Sequence, residues 1–289
     1  MHDQKFFDQT LAMIEADAIE AAMPMLAGKL HSDSLSPRWD GLLSTYQAHP
    51  LRQVLLEDPY VARCVAKPRG YAGDAELIEM IYEQTPPPGT SALGQRIFNT
   101  VIRFGSCEAV RLRRDFSAGF VSAAHSAGQR ILSLACGYFR EGDALVGTDI
   151  SGIVLVDQDP LSLAVVRQRH GSAARCHEVN VFSYLRGAAA RGERFDLVYT
   201  LGLTDYLDAR AMRLLHKLVV AVLAPGGRFV LANFVPGHLA VGWMEAVMEW
   251  QLIYREAAEL EGYAAEAGLK ARTWLDPTGS IAWCEMTAG

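Results

Sequence analysis

The sequence predicts an α/β protein: a doubly wound, mainly parallel sheet of seven strands, preceded by an all-helical segment. Three observations predict it. From Gly128 onward, short apolar runs alternate with helix-length stretches, the pattern of parallel strands joined by crossover helices. Before residue 126 the apolar residues recur at helical spacing and no strand pattern appears. Two successive apolar runs end in Ala135-Cys136-Gly137 and in Asp157-Gln158-Asp159, the layout of two strand tips that flank a nucleoside. The expected division is therefore 1–125, a helical lid or substrate segment, and 126–289, a ligand-binding domain.

Taken in order, residues 4–30 carry Phe6, Leu11, Ile14, Ala18, Ala22 and Leu26 at helical spacing. Trp39 to Ala48 and Leu51 to Glu57 continue as helices, separated by His49-Pro50, since proline disfavours a helical residue before it. Asp58-Pro59 restarts a helix with an N-cap and a first-turn proline. Lys67-Pro-Arg-Gly-Tyr-Ala-Gly-Asp74 reads as a structured turn, with Asp74 capping Ala75 to Tyr82. The prolines of Thr85–Thr90 stiffen a linker, and Ser91 caps the next helix. A further helix, about Cys107 to Ala124, carries Arg111, Arg113 and Arg114; such a basic cluster is ordinarily a solvated face, with a role in holding a substrate anion as the alternative. Strands are expected at Ile131–Ala135, Ile153–Val156, Arg175–Val179, Phe195–Leu201 and Gly227–Phe234, with helices at Leu161–His170, Tyr184–Ala190 and Ala209–Leu223. Pro225-Gly226-Gly227 reads as the stop before the fifth strand. One long helix is expected over about Ala240 to Ala267, with Trp243, Val247, Trp250 and Tyr254 on one stripe. A hairpin through Asp276-Pro277-Thr278-Gly279 closes the chain.

Composition narrows the function. The 289 residues are 50% hydrophobic and 21% charged, ordinary globular values. A net charge of -6 argues against a general nucleic-acid binder. Five scattered cysteines without a Cys-x-x-Cys pair read as reduced thiols. The N-terminus lacks the basic start and apolar core of a signal peptide, and no apolar run reaches spanning length. A soluble cytoplasmic protein is expected, with no metal site, since the histidines lack ligand spacing. A homodimer is left open.

The turn after the first strand selects the ligand. A dinucleotide site wants Gly-x-Gly-x-x-Gly for a pyrophosphate. Here only Gly137 matches, followed by Tyr138, Phe139 and Arg140. A bulky, glycine-poor turn suits a cofactor without pyrophosphate, such as S-adenosylmethionine (SAM). At this point the sequence resembles the class I SAM-dependent methyltransferases. Leu134-Ala-Cys-Gly137, Val156-Asp-Gln-Asp159, Asn180-Val181, Phe195-Asp-Leu-Val-Tyr199 and Leu223-Ala-Pro-Gly-Gly227 match that family's motifs in order. The resemblance implies SAM as cofactor, with Ala135, Cys136 and Gly137 under the methionine part, Asp157 on the ribose, and Gln158, Asn180 and Val181 beside the adenine. Asp159 reads better as the N-cap of the next helix. Lys67–Asp74, Leu203-Thr-Asp-Tyr-Leu207 and Met244–Arg255 resemble the bacterial 3-hydroxypalmitic acid methyl ester synthases, which make a quorum signal. That likeness implies that Arg69 and Tyr71 close over the cofactor.

The remaining candidates follow the sheet. Thr200, Leu201, Gly202 and Asp205 follow the fourth strand, and Asn233, Phe234 and His238 the fifth, at the carboxyl edge where open α/β sheets bind ligands. The first three join the cofactor set. Asp205, Tyr206, Asn233, Phe234 and Trp250 form the acceptor-binding set. His238 is the best-placed histidine for a general base, although an exposed loop histidine is the plainer reading. Tyr254 lines the acceptor pocket or merely packs. Glu245 falls on a solvated face, and the family resemblance raises it and Arg255 into the catalytic set with His238 and Tyr254. The expected activity is methyl transfer to a small molecule, O-methylation of a carboxylate or hydroxyl on a fatty-acid-like or secondary metabolite. N-methylation and a non-catalytic SAM-binding or interaction protein are the alternatives.

Overall fold

The computed structural model describes residues 2–171 and 174–288. The chain begins with helices α1 (His2–Glu15), α2 (Ile19–Ser34), α3 (Trp39–Gln47), α4 (Leu51–Leu55), α5 (Pro59–Ala66), α6 (Ala75–Glu83), α7 (Ala92–Val101) and α8 (Gly105–Ser126). There follow β1 (Ile131–Leu134), β2 (Ile153–Asp157), α9 (Pro160–His170), β3 (Arg175–Glu178), α10 (Val181–Ala190), β4 (Phe195–Thr200), α11 (Ala209–Val220), β5 (Leu223–Phe234), α12 (Val241–Ala246), α13 (Ala257–Glu266), β6 (Leu269–Leu275) and β7 (Ile281–Ala288). Among the described residues, no helix is long and apolar enough to cross a membrane.

Two compact units result. One runs to Arg111 and takes in Gly237–Gln251; the other comprises Leu112–Pro236 and the chain from Leu252 onward. Neither unit is a contiguous half divided at residue 125. The second half of α8 goes with the sheet because Phe116 packs on Trp283 at 4.7 Å and Phe120 on Tyr199 at 5.5 Å.

The helical unit is built on caps. The apolar periodicity of residues 4–30 is split between α1 and α2 at Asp17, whose φ is +66°. Asp58 accepts from Tyr60 N at 2.9 Å, Asp74 from Leu77 N at 2.8 Å, and Ser91 from Gly94 N at 3.0 Å. Each cap satisfies an amide that the first helical turn leaves orphaned. Arg63 grips Asp74 with two hydrogen bonds, of 2.9 and 2.8 Å, so the turn from Lys67 to Asp74 is anchored at its far end. Residues 237–251 join this unit through α12, which packs on α2. Gly242 makes that approach: a Cβ there would lie 2.1 Å from Leu30 O. Gly242→Ala is expected to cost about 2 to 3 kcal/mol by overpacking, read as a lower thermal unfolding midpoint; an unchanged midpoint would refute the close approach.

The sheet unit has strand order β3-β2-β1-β4-β5-β7-β6. Its first five strands are parallel, and β7 lies antiparallel between β5 and β6. This is the doubly wound, seven-stranded sheet with a helical N-terminal segment that the sequence predicts. One core packs Leu132, Leu134, Val154 and Val156 with Leu185 of α10, Leu215 of α11 and Leu260 of α13. β5 begins earlier than expected, at Leu223, because Pro225-Gly226-Gly227 forms an irregularity within the pairing to β4 rather than a break before the strand.

The connection from β1 to β2 is a single 3-10 stretch, Arg140–Leu145, and one expected element differs. The long helix over 240–267 is two short ones, α12 and α13. Glu249 takes φ +50°, and the chain then runs without helix to Glu256. There Ile253 N donates to Asp205 O at 2.8 Å and Arg255 N to Phe234 O at 3.0 Å. Backbone pairing to the turn after β4 and to the end of β5 replaces the helical ladder, so the Trp-Tyr stripe does not form.

Candidate functional site

Chain order places the site. β1 pairs with β2 on one side and β4 on the other, so successive connections leave in opposite directions beyond the carboxyl end of β1. Such a switch point opens a crevice in doubly wound sheets. The tips of β1 to β4 bring Ala135–Gly137, Asp157 with Gln158, Asn180 with Val181, and Thr200–Gly202 to this one edge.

The turn after β1 is held in an unusual conformation. Ala135, Gly137 and Phe139 have φ of +55°, +52° and +52°. For the two non-glycine residues that conformation costs roughly 1–2 kcal/mol each. Asp157 fastens the turn: Oδ2 accepts from Gly137 N and Oδ1 from Asp159 N, both at 2.9 Å. Phe139 is fully buried against Gly142, where any Cβ would strike its ring. Asp157 is buried too, and desolvation raises its pKa, opposed by the amides of Asp159 and Gly137. Each carboxylate oxygen keeps a lone pair beyond its one amide bond, so further donors would stabilise this anion. Burial pushes the Cys136 thiol well up, leaving a packing group and not a nucleophile.

Several side chains of the cofactor set are committed to the scaffold. Thr200 Oγ1 donates to Leu134 O at 2.9 Å, stapling β4 to β1. Asn180 Oδ1 accepts from Phe182 N at 3.0 Å as the cap of α10, and Val181 is buried. Asp159 caps α9, as expected, accepting from Leu161 N and Ser162 N. Gln158 is exposed at the tip of β2.

A second cluster lies at the ends of β4 and β5. Asp205 Oδ1 accepts from Phe234 N at 2.8 Å, and burial pushes its pKa up to about 6 against the charges of Arg113 and Arg255. Arg255 is 1% exposed. Its Nη1 donates to Thr204 O at 2.7 Å and to Asn233 Oδ1 at 3.1 Å, and its Nη2 donates to Leu207 O. Asn233 Nδ2 completes the network on Phe234 O and Ile253 O at 2.9 and 3.0 Å. Arg255, expected in the catalytic set, therefore positions the 204–207 turn. Tyr206 is partly exposed, Tyr254 half-buried and Phe234 buried.

The other candidates belong to the helical unit. His238 is buried, not exposed, and Nδ1 accepts from Ala240 N at 3.3 Å. Glu245 is not solvated: it accepts from Trp39 Nε1 at 2.6 Å, while Glu249 pairs with Arg52 at 2.6 Å. Trp250 is buried. Arg69 and Tyr71 sit in the turn between α5 and α6, with Arg69 3.6 Å from Glu76.

Two groups at the strand edge stand outside the sets of site residues expected from the sequence. Tyr199 donates to Glu141 Oε1 at 2.8 Å, a fully desolvated pair in which the Glu141 pKa is pushed up to about 7. Arg113 is 6% exposed rather than on a solvated face. Its signal was present: Arg113 falls on the stripe of Val110, Ser117, Val121 and Ala124, all buried, which Arg111 and Arg114 do not join. Among the described residues no cluster of His, Cys, Asp and Glu is arranged to hold a metal.

No protein-family model matches the chain, and neither does any curated protein. Among solved structures, a possible exported protein from Bordetella parapertussis superposes with a TM-score of 0.58 at 20% identity, covering 94% of this chain and 96% of that one. The two share a fold over nearly their whole lengths. Magnesium protoporphyrin IX methyltransferase from Synechocystis PCC 6803, solved with S-adenosylhomocysteine (SAH), gives 0.48 at 13% identity, covering 64% of this chain and 87% of that one. The N-methyltransferase NodS from Bradyrhizobium japonicum WM9, also with SAH, gives 0.46 at 16%, covering 61% and 87%.

Proposed function

We propose that this chain is a SAM-dependent methyltransferase acting on a small molecule, with O-methylation of a carboxylate or hydroxyl as its reaction. One observation carries the reading. The turn at the sheet's switch point is glycine-poor, left-handed at Ala135, Gly137 and Phe139, and fastened by a buried carboxylate with lone pairs to spare. That edge suits a ribose diol on Asp157 and a cofactor without pyrophosphate. Bound there, SAM supplies an electrophilic methyl group on a sulfonium. Ala135–Gly137 and Thr200–Gly202 would lie along its methionine part, and Gln158, Asn180 and Val181 along its adenine. The roles of Arg69 and Tyr71 rest on the sequence resemblance alone, as does the fatty-acid-like acceptor.

The chemistry asks little of the protein beyond positioning. A carboxylate acceptor is already ionised at neutral pH, so an in-line approach and a dry pocket suffice. A hydroxyl would need a base within hydrogen-bond reach, and Tyr254 and His238 are the groups to test for it.

Titration calorimetry with SAM and SAH tests the reading. Dissociation constants of roughly 1–100 μM are expected, and a protein that binds neither is not a methyltransferase. Asp157→Ala is expected to weaken SAM binding by about 30-fold, the loss of hydrogen bonds to a charged acceptor. Undiminished affinity would remove Asp157 from the ribose. Transfer to amines alone would select N-methylation, and binding without transfer to carboxylic acids, hydroxy acids or amines would leave a non-catalytic SAM-binding protein.

A further inference from the structure

Among the described residues Arg113 has no hydrogen-bonded partner. It lies one turn before Ser117, on the buried stripe of α8, and is 6% exposed. Among the described residues it makes no hydrogen bond and no ion pair. The other inward-turned arginines do: Arg63 grips Asp74, Arg111 donates to Ile102 O at 2.9 Å, and Arg255 is held by Thr204, Leu207 and Asn233. Two carboxylates feel the Arg113 charge, yet both are bound elsewhere, Glu141 to Tyr199 and Asp205 to the Phe234 amide. A guanidinium on a side chain so largely buried, without a hydrogen-bonded counter-charge, gains by pairing with an anion that arrives on it.

Its surroundings say where the anion would come from. Gly202 follows β4 at the switch point, and a Cβ on it would sit 3.3 Å from Arg113 Nη1 and 3.6 Å from Nη2. With φ +127°, position 202 strongly favours glycine. The missing side chain leaves the fork of the guanidinium open beside the strand tip. A planar fork takes a carboxylate through two parallel hydrogen bonds.

We propose that Arg113 is the receptor for a ligand carboxylate at the carboxyl end of β4. Two ligands of the reaction carry one: the amino-acid end of the cofactor, and an acidic acceptor. The inference rests on the methyltransferase reading for those sources, but its test separates the two claims.

Wild type and Arg113→Gln are compared by calorimetry with three ligands: SAH, 5′-methylthioadenosine, which keeps the nucleoside thioether but lacks the carboxylate, and octanoate in the presence of methylthioadenosine. If the cofactor supplies the carboxylate, wild type prefers SAH over methylthioadenosine by roughly 30-fold, and the variant loses that preference with methylthioadenosine affinity unchanged within about twofold. If the acceptor supplies it, the preference survives in the variant and octanoate binding is lost. Unchanged behaviour toward all three overturns the proposal while leaving the methyltransferase reading intact; a wild type that binds neither nucleoside overturns that reading first. Thermal unfolding without ligand gives an independent check. Arg113→Met is expected to unfold no earlier than wild type, since an unpartnered charge is removed. A midpoint lowered by more than about 5 °C would mean that the guanidinium is already paired in the free protein, and the proposal would fall whatever the ligands do. So would a wild type that binds none of the three.

Discussion

Arg255→Met is expected to destabilise the protein by about 3–5 kcal/mol, the cost of breaking a buried, charged hydrogen-bond network from one side. Methionine keeps much of the volume, so the loss isolates the donors. Thr204 O, Leu207 O and Asn233 Oδ1 would be left in the interior without the guanidinium that now serves all three. Asn233 would still hold Phe234 O and Ile253 O, so the damage concentrates on the 204–207 turn. Arg255→Lys should recover little, because one ammonium replaces two separated Nη groups. The urea midpoint of the transition that reports the sheet unit measures the effect. A variant within about 1 kcal/mol of wild type would show that the network contributes little.

The same network explains why catalytic and structural roles are hard to tell apart from residue type. Arginine near an acceptor site reads as a clamp for a substrate anion, and both Arg255 and Arg113 qualify by position. Partners decide between them. Arg255 has its Nη groups occupied by the protein, and Arg113 is buried and makes no hydrogen bond among the described residues. The first sets the shape of the strand edge, and the second is left for a ligand.

The sheet was legible because each strand is a short apolar run whose end carries a residue type with a reason to be there. Asp157 at the end of β2 and Gly137 at the end of β1 announced themselves as tip residues. That they bond each other was not visible, since the contact spans twenty positions and no local pattern encodes it. The helix over 240–267 failed for a related reason. Trp243, Val247, Trp250 and Tyr254 satisfy a helical stripe, but the run Trp250-Gln-Leu-Ile-Tyr-Arg255 is short and fits an extended chain as well. Short apolar stretches are ambiguous between the two periods. The strand-like amide pairings of Ile253 and Arg255 resolved the ambiguity through partners distant in sequence. Glu245 and Glu249 show the same limit: a face polar by periodicity was filled by Trp39 and Arg52.

Between pH 5 and 8 the ionisation of Glu141 is expected to cost the protein stability, and Glu141→Gln should remove that loss of about 2–3 kcal/mol. Glu141 is 7% exposed, and desolvation pushes its pKa from an ordinary 4.5 up to about 7, against the Tyr199 hydroxyl and the charge of Arg113. Asp143, also near, acts in the same direction as burial. The folded chain therefore holds a proton that the unfolded chain has released over this window. Its contribution is fully present below about pH 4.5, falls as pH rises, and is gone above about 7; a shift of about 2.5 units corresponds to roughly 3 kcal/mol. Asp58 and Asp205, pushed up to about 7 and about 6 by burial, tilt the profile the same way, and His170, His177 and His216, lowered by burial, tilt it the opposite way, so the wild-type slope alone does not isolate Glu141. The glutamine variant does, because its amide oxygen still accepts from Tyr199 but does not titrate. Urea unfolding at pH 5 and pH 8 should show the variant close to wild type at the lower pH and more stable at the higher. The opposite order would mean that Glu141 is ionised in the fold and stabilised by Arg113. The desolvated pair at the strand edge and the unpartnered guanidinium of Arg113 would then both have to be given up.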